Sequence, residues 1–293
     1  MTEQTNISTR IKTLKDKAML ARLKRKRLTL SKRDKALETT VRAQAGDDSL
    51  TISKHLFRDR TSPVRRLIQE YDEVYRLHKD LTLPWVDTGP RLLKSDQYFT
   101  YMERMREAMD KVAAKVPSIV NRWGDLVAAD IRSRGGRASP DDYPAAYEVE
   151  DCFAFDLKVM PLPDASDFRV DVDDDTVAAL EEAMVEAEQV ARRDVVHRML
   201  EPVARASEKL AVPIGEQGAV FRDSLIHNLE HGVRQARELN ISDDPELERI
   251  IAEAEQVVGN ITQAKPEGLR KVQGKRDEAR KQLDDLMDKL GSL

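Results

Sequence analysis

Apolar residues spaced alternately three and four apart recur along most of this 293-residue chain. Such a seam is satisfied only by a helix with another surface laid against it. The clearest seam runs through Met102, Met105, Met109, Val112, Val116, Ile119, Trp123 and Leu126. Ser95 and Asp96 supply a cap before it, Arg134-Gly135-Gly136 ends it, and Pro117 should bend or interrupt it. A shorter seam precedes it at Val64, Leu67, Tyr71, Val74, His78 and Leu81, entered by Ser62-Pro63. A third follows Val177, Leu180, Met184, Ala187 and Ala191 towards Met199, with Pro202 expected to break or kink that helix. A fourth carries Phe221, Leu225, Leu229, Gly232, Ala236 and Leu239, and a fifth helix starts at Asp243-Asp244-Pro245.

After Pro266 the pattern returns at Leu269, Val272, Arg276, Ala279, Leu283, Leu286 and Leu290, where Arg276 is a misfit. A seam Leu or Val contributes roughly 1.5–3 kcal/mol only when something covers it. These helices must therefore pair with one another or with a second copy of the chain. Self-association through the tail is one expectation, and a homo-oligomer follows from it. The composition agrees, since 35% of residues are charged and only 5% aromatic, which suits long helices burying narrow stripes.

Strand signals are few. Phe153 to Leu162 alternates Phe153, Phe155, Leu157 and Val159 with Asp156 and Lys158. Phe168-Arg169-Val170-Asp171-Val172 alternates likewise, with a turn at 163–166 between them. Near the N-terminus, 19–30 is ambiguous, fitting a helix first and a strand from Leu23 onward. The arrangement favoured pairs that basic strand with the acidic hairpin as its third strand, cancelling the two charge clusters. The architecture expected is mainly α: an elongated helical bundle or coiled-coil hairpins with a small antiparallel β-sheet of two to three strands. Its parts would be a basic segment with a possible strand (1–50), a helical bundle with a β-hairpin near 153–172 (51–260), and an amphipathic helical tail (261–293).

The net charge of -4 hides an asymmetry. Residues 1–36 hold 12 Lys and Arg against 3 acids, while 141–190 hold 16 acids against 2 bases. Lys24, Arg25, Lys26, Arg27, Lys32 and Arg33 could track a phosphate backbone. They could equally form a solvated face, or be neutralised by the acidic tract. No aromatic residue lies among them in sequence to stack on single-stranded bases. The single cysteine, Cys152, excludes an internal disulfide and points to a reducing compartment. No apolar run is long enough to span a bilayer, and the N-terminus lacks a secretory pattern. A soluble cytoplasmic protein is expected.

Chemistry-bearing patterns are sparse. His227-Asn228-Leu229-Glu230-His231 matches the H-x-x-E-H signature of inverted zinc proteases. Leu225, Leu229, Gly232 and Ala236 set the buried side of that helix, which puts His227 opposite it, and no third ligand is singled out. Asp171 and Asp173 to Asp175 lack the glycine and spaced Glu of a calcium loop and suit a helix entry better. Cys152 heads an apolar strand, where a thiol is inert. His78 lies on a seam as a packed histidine, and His55 and His197 have no partner in spacing. Gly135-Gly136 lacks the Lys-Ser/Thr of a phosphate loop. Neither catalysis nor a cofactor is expected.

Between Leu83 and Val170 the chain resembles a known family. The resemblance is carried by Leu83-Pro84-Trp85, Gly89, Arg91-Leu92-Leu93, Tyr98, Asp142-Tyr143-Pro144, Pro161-Leu162-Pro163 and Asp167-Phe168-Arg169-Val170. It extends outward to Ala18-Met19-Leu20 and to Phe221-Arg222-Asp223-Ser224-Leu225, covering roughly 17–255. The family is a domain of unknown function of tailed phages and integrative conjugative elements. Lys94 stands where that family has proline, and Lys24 to Arg27 replace a more apolar strand. The resemblance implies no catalytic residue. It implies partners, namely a MoxR- or cobaltochelatase-like AAA+ ATPase and a von Willebrand A-type protein, in the setting of phage DNA metabolism. The resulting expectation is a non-catalytic helical adaptor in the host bacterial cytoplasm. A DNA-binding factor using the basic segment and a virion structural protein are the alternatives. Leu83, Pro84, Trp85, Gly89, Arg91, Tyr98, Tyr143, Pro144, Phe168 and Arg169 are the residues expected to form the family's interaction or structural motif.

Overall fold

The computed structural model describes residues 11–12, 14–86, 89–135, 137–163, 174–242, 244–264 and 266–293. The chain is mainly helical, at 67%, with a small four-stranded sheet and a two-stranded ribbon. Contacts divide it into two compact units, each assembled from separate stretches of sequence. The first comprises Met1–Arg22, Lys79–Phe99 and Lys158–Leu293, the second Leu23–His78 and Thr100–Leu157.

The sheet contains β1 (Ala18–Arg25), β4 (Leu83–Pro84), β5 (Arg91–Lys94) and β6 (Phe155–Met160), in the order β4-β5-β1-β6. Pairing is antiparallel, with Leu20 opposite Leu92 and Leu83 opposite Leu92 on its other side. Four strands are present where two to three were expected. The expected partner of β6 at 168–172 lies outside the described residues, and the neighbour that β6 does have is β1. Ala18 and Leu20 are buried on one face of β1 and Ala21 and Leu23 on the other, so the strand is covered on both faces before the basic run begins. Pro84 sits on the edge strand, the place where a residue without an N–H is tolerated.

In the first unit four helices enclose an apolar core: α7 (Asp174–Ala211), α8 (Asp223–Leu239), α9 (Pro245–Gln263) and α11 (Gln273–Gly291). Each packs on two of the others, α7 on α8 and α11, and α9 on α8 and α11. The short α10 (Pro266–Lys271) leads into α11. The tail seam Leu283, Leu286 and Leu290 is therefore covered within its own chain, at roughly 1.5–3 kcal/mol per buried leucine. Leu20, Leu83 and Leu92 from the sheet join Met184, Ala191 and Val195 of α7 in the same core. Asp244 caps α9 by accepting from Glu246 N and Leu247 N at 2.9 and 3.4 Å, ahead of a proline in the first turn.

Helix α7 runs unbroken through Pro202, contrary to the expected break. The proline leaves the carbonyl of Arg198, four residues back, without its helical donor. Gly232 of α8 lies against that carbonyl so closely that a Cβ there would stand 2.5 Å from the oxygen. On α8 the buried stripe is Ile226, Leu229, Gly232, Val233, Ala236 and Leu239, rotated slightly from the expected one, since Leu225 is only half-buried.

The second unit holds β2 (Ser31–Arg33), α1 (Lys35–Ala45), β3 (Ser53–His55), most of α2 (Pro63–Asp80), α3 (Tyr98–Ala113), α4 (Val116–Asn121), α5 (Trp123–Ser133) and α6 (Ala146–Asp151). The long methionine seam is thus cut into three helices, with Pro117 in the first turn of the middle one. Tyr71, Tyr101, Met105, Val112 and Trp123 are buried there. Phe57 packs at 5.4 Å on both Trp123 and Tyr143, and adopts φ 48°, a conformation uncommon outside glycine.

Candidate functional site

Three sets of residues were expected to carry function, and the structure treats them differently. In the basic segment the arginines are committed within their own unit. Arg25 Nη1 donates to Asp72 at 2.7 Å, Arg27 reaches the other carboxylate oxygen at 3.0 Å, and the Arg25 guanidinium lies 4.2 Å from the centre of the Tyr75 ring. Arg33 makes a fork to Glu38 at 2.8 and 2.5 Å, and Arg42 joins it at 2.8 Å. The bond from Arg33 holds the Glu38 carboxyl down at about 2, against the cost of its desolvation. These carboxylates, Asp72 and Glu38, lie outside the acidic tract. Lys24, Lys26 and Lys32 are exposed and form no ion pair among the described residues.

The motif around Leu83-Pro84-Trp85 is built into the first unit as a clasp. Thr82 is fully buried, and Arg91 donates to its hydroxyl at 2.7 Å and to its carbonyl at 3.0 Å. Arg198 of α7 gives its Nη2 to Thr82 O at 2.9 Å and Lys79 O at 3.0 Å, and its Nη1 to Asp80 O at 3.1 Å. Asp194 orients that guanidinium at 2.7 Å. Gly89 has φ 140°, open to glycine and strained for any other residue. Trp85 is half-buried against the core, and Tyr98 meets the edge of Phe99, which is 82% exposed.

Tyr143 and Pro144 are likewise structural in the second unit. Asp130 accepts from the Tyr143 hydroxyl at 2.6 Å, Phe57 N at 2.9 Å and Arg134 Nε at 2.9 Å. Burial pushes the Asp130 carboxyl up, but these three bonds outweigh it and keep the group below its usual value. The same environment raises Tyr143, through burial first and the bond to Asp130 second. Pro144 O accepts the indole N–H of Trp123 at 2.9 Å. Phe168 and Arg169 lie outside the described residues.

His227 and His231 are both exposed on α8. His231 lines an open groove of about 280 Å³ together with Arg198, Glu201 and Arg205. Two guanidiniums oppose a dication there, and Glu230 is engaged with the Thr262 hydroxyl at 2.9 Å. Among the described residues, no group of three His, Cys, Asp or Glu is placed to hold a metal. Cys152 is buried, which raises its thiol pKa. His78 is a packed histidine, its Nδ1 2.8 Å from the Tyr101 hydroxyl.

Sequence reasoning did not anticipate the hubs Asp130, Glu38 and Arg198. Asp130 had a faint signal as an acid in line with Trp123 and Val127 on one helix face. Arg276 did stand out, and its role is now visible. It is 1% exposed, and it donates to Leu210 O at 3.1 Å, Ala219 O at 3.0 Å and the carbonyl of Lys209. It thereby satisfies terminal carbonyls of α7. No protein-family model matches this chain, and neither a curated protein nor a solved structure does.

Proposed function

We propose that this protein acts by binding, as a non-catalytic helical adaptor of a phage or mobile element working with a MoxR-like AAA+ ATPase and its von Willebrand A-type companion. The observation that carries this is where bonding capacity is satisfied and where it is left open. The buried charged side chains Asp130, Glu38 and Arg276 are each saturated by structural partners in their own unit. The groups facing solvent include the rings of Phe99 and Tyr147, 82% and 77% exposed, the kind of side chain that anchors protein contacts. The facing seams of α7, α8, α9 and α11 support reading the first unit as an elongated, coiled-coil-like bundle. Its tail seam is already covered, so a homo-oligomer would use another surface. The resemblance at Leu83 to Val170 supplies the ATPase, and the host cytoplasm as the compartment.

Nucleic-acid contact by residues 24–33 is the weaker reading, because Arg25, Arg27 and Arg33 already hold carboxylates. A virion component would show as abundant protein in purified particles. The test is capture of the ATPase encoded beside this chain by the tagged protein. Retention that falls at least tenfold in Phe99→Asp is expected. Failure of the wild-type chain to retain the ATPase, with or without nucleotide, overturns the adaptor reading.

A further inference from the structure

Helix α7 carries its charges in two blocks. Between Asp175 and Glu188 it holds Asp175, Glu181, Glu182, Glu186 and Glu188 with no base, and Arg192, Arg193, His197, Arg198 and Arg205 follow. Interaction with the helix dipole is confined to the terminal turns and does not reach Glu182 or Glu186. At about 100° per residue, Asp175, Glu182 and Glu186 fall within about 20° of Arg193 around the helix, and His197 within about 40°. All five are exposed, and Glu182, Glu186 and Arg193 form no ion pair among the described residues. Asp194 and Glu201, the acids interspersed in the second block, bond Arg198 and Arg205.

Along the basic block the same side of α7 lines an open groove of about 670 Å³, bounded by Arg192, Arg193, Val196, His197, Leu200 and Leu293. Val196, Leu200 and Leu293 rest partly buried against the core and give the groove an apolar floor. No carboxylate lines it. Arg192 is fixed by Asp244 at 2.6 Å, yet its buried Nε has no hydrogen-bond partner among the described residues. His197 stands 3.9 Å from Glu201, beyond hydrogen-bond reach. The groove is therefore a basic, partly apolar trough along a helix, and what it lacks is a row of acids at helical spacing.

We infer that this side of α7 packs antiparallel against the same helix of a second copy of the chain, about a two-fold axis at Gln189. In that register Glu186 faces the second copy's Arg192 and Arg193, and Glu182 faces its His197. Leu200 rests on the second copy's Ala178 and Ala179, where small side chains let the helices approach. Each contact occurs twice, as a two-fold interface requires. Glu182 and Glu186, like charges four residues apart, repel one another in the lone chain and are answered in the pair. A foreign acidic helix would have to reproduce this spacing, whereas α7 already contains it. One helix pair about 38 Å long buries less than a permanent dimer needs, so association is weak and concentration-dependent. The surface is separate from the tail seam and from Phe99, and it does not rest on the adaptor reading.

The experiment is sedimentation equilibrium of the full-length chain over a concentration series at low and high salt. A reversible monomer–dimer equilibrium that weakens as salt is raised is expected. Glu182→Lys with Glu186→Lys should raise the dissociation constant at least roughly tenfold, and Arg193→Glu with His197→Glu should do the same. All four changes in one chain reverse both rows together and should restore the dimer. Mixing the two double variants should give a heterodimer, although neither pairs with itself. Circular dichroism establishes that each variant keeps its helices. A wild type that stays monomeric throughout, a dimer indifferent to both double reversals, or four combined changes that fail to restore it overturns the assignment.

Discussion

Replacing Gly232 with alanine sets two effects of opposite sign against each other. In an open helix the change stabilises by up to about 1 kcal/mol, because alanine loses less backbone freedom on folding. At Gly232 the added methyl would stand 2.5 Å from Arg198 O, 2.9 Å from Pro202 Cγ and 3.5 Å from the Arg198 carbonyl carbon. An ordinary carbon–oxygen approach is about 3.3 Å or more, so α7 and α8 must part by most of an ångström at their crossing. Neither neighbour yields easily, since one is backbone and the other a ring. Overpacking costs typically about 1–3 kcal/mol, and a backbone obstacle puts this case at the upper end. The net expectation for Gly232→Ala is a loss of about 2 kcal/mol. Gly259, within α9, supplies the control, for a methyl added there would meet nothing within 4 Å and Gly259→Ala should gain up to about 1 kcal/mol. Urea unfolding followed by far-ultraviolet circular dichroism reads both. A Gly232→Ala protein as stable as the wild type would refute the close-crossing argument.

Arg276→Met keeps the volume but strands the carbonyls of Leu210 and Ala219, at a cost on the order of 3 kcal/mol measurable by the same unfolding curves. Asp130→Asn weakens acceptance from Tyr143, Phe57 N and Arg134 together, with an expected loss of about 2 kcal/mol. Glu38 titrates at about 2 in the folded chain against an ordinary 4.5, so it binds fewer protons folded than unfolded. Its stabilisation is complete above about 4.5, declines as acid is added, and is gone below about 2. Unfolding measured across that range should show a shallower acid limb in Glu38→Gln.

The helices were legible because a three-four seam states both the element and its buried side. Val64 to His78 and Leu283 to Leu290 were read in register, and the caps at Asp244 and Gly135 followed from local chemistry. What escaped depended on pairings distant in sequence. The two charge clusters did point to β1 lying beside the strand at Phe155–Met160, but its other neighbour, β5, some seventy residues away, left no mark in the composition of 19–30. Pro202 does not break α7, and the close approach of Gly232 from another helix at that point is equally invisible in the local sequence. Arg91 and Tyr143 stood within the motif, but spacing cannot show that Arg91 serves Thr82 or that Tyr143 serves Asp130.

The interleaving of the two units has a consequence for the order of synthesis. Everything the second unit requires has been synthesised once Leu157 is made. The first must wait, for Ala18 and Leu20 have no Met184 or Val195 to rest against until α7 appears, and no Leu283 or Leu286 closes the core until the final turns. Partners so remote along the chain make closure slow, and a nascent β1 with a greasy side awaits cover through most of translation. A ribosome stalled midway would therefore display one finished body and one open, aggregation-prone half.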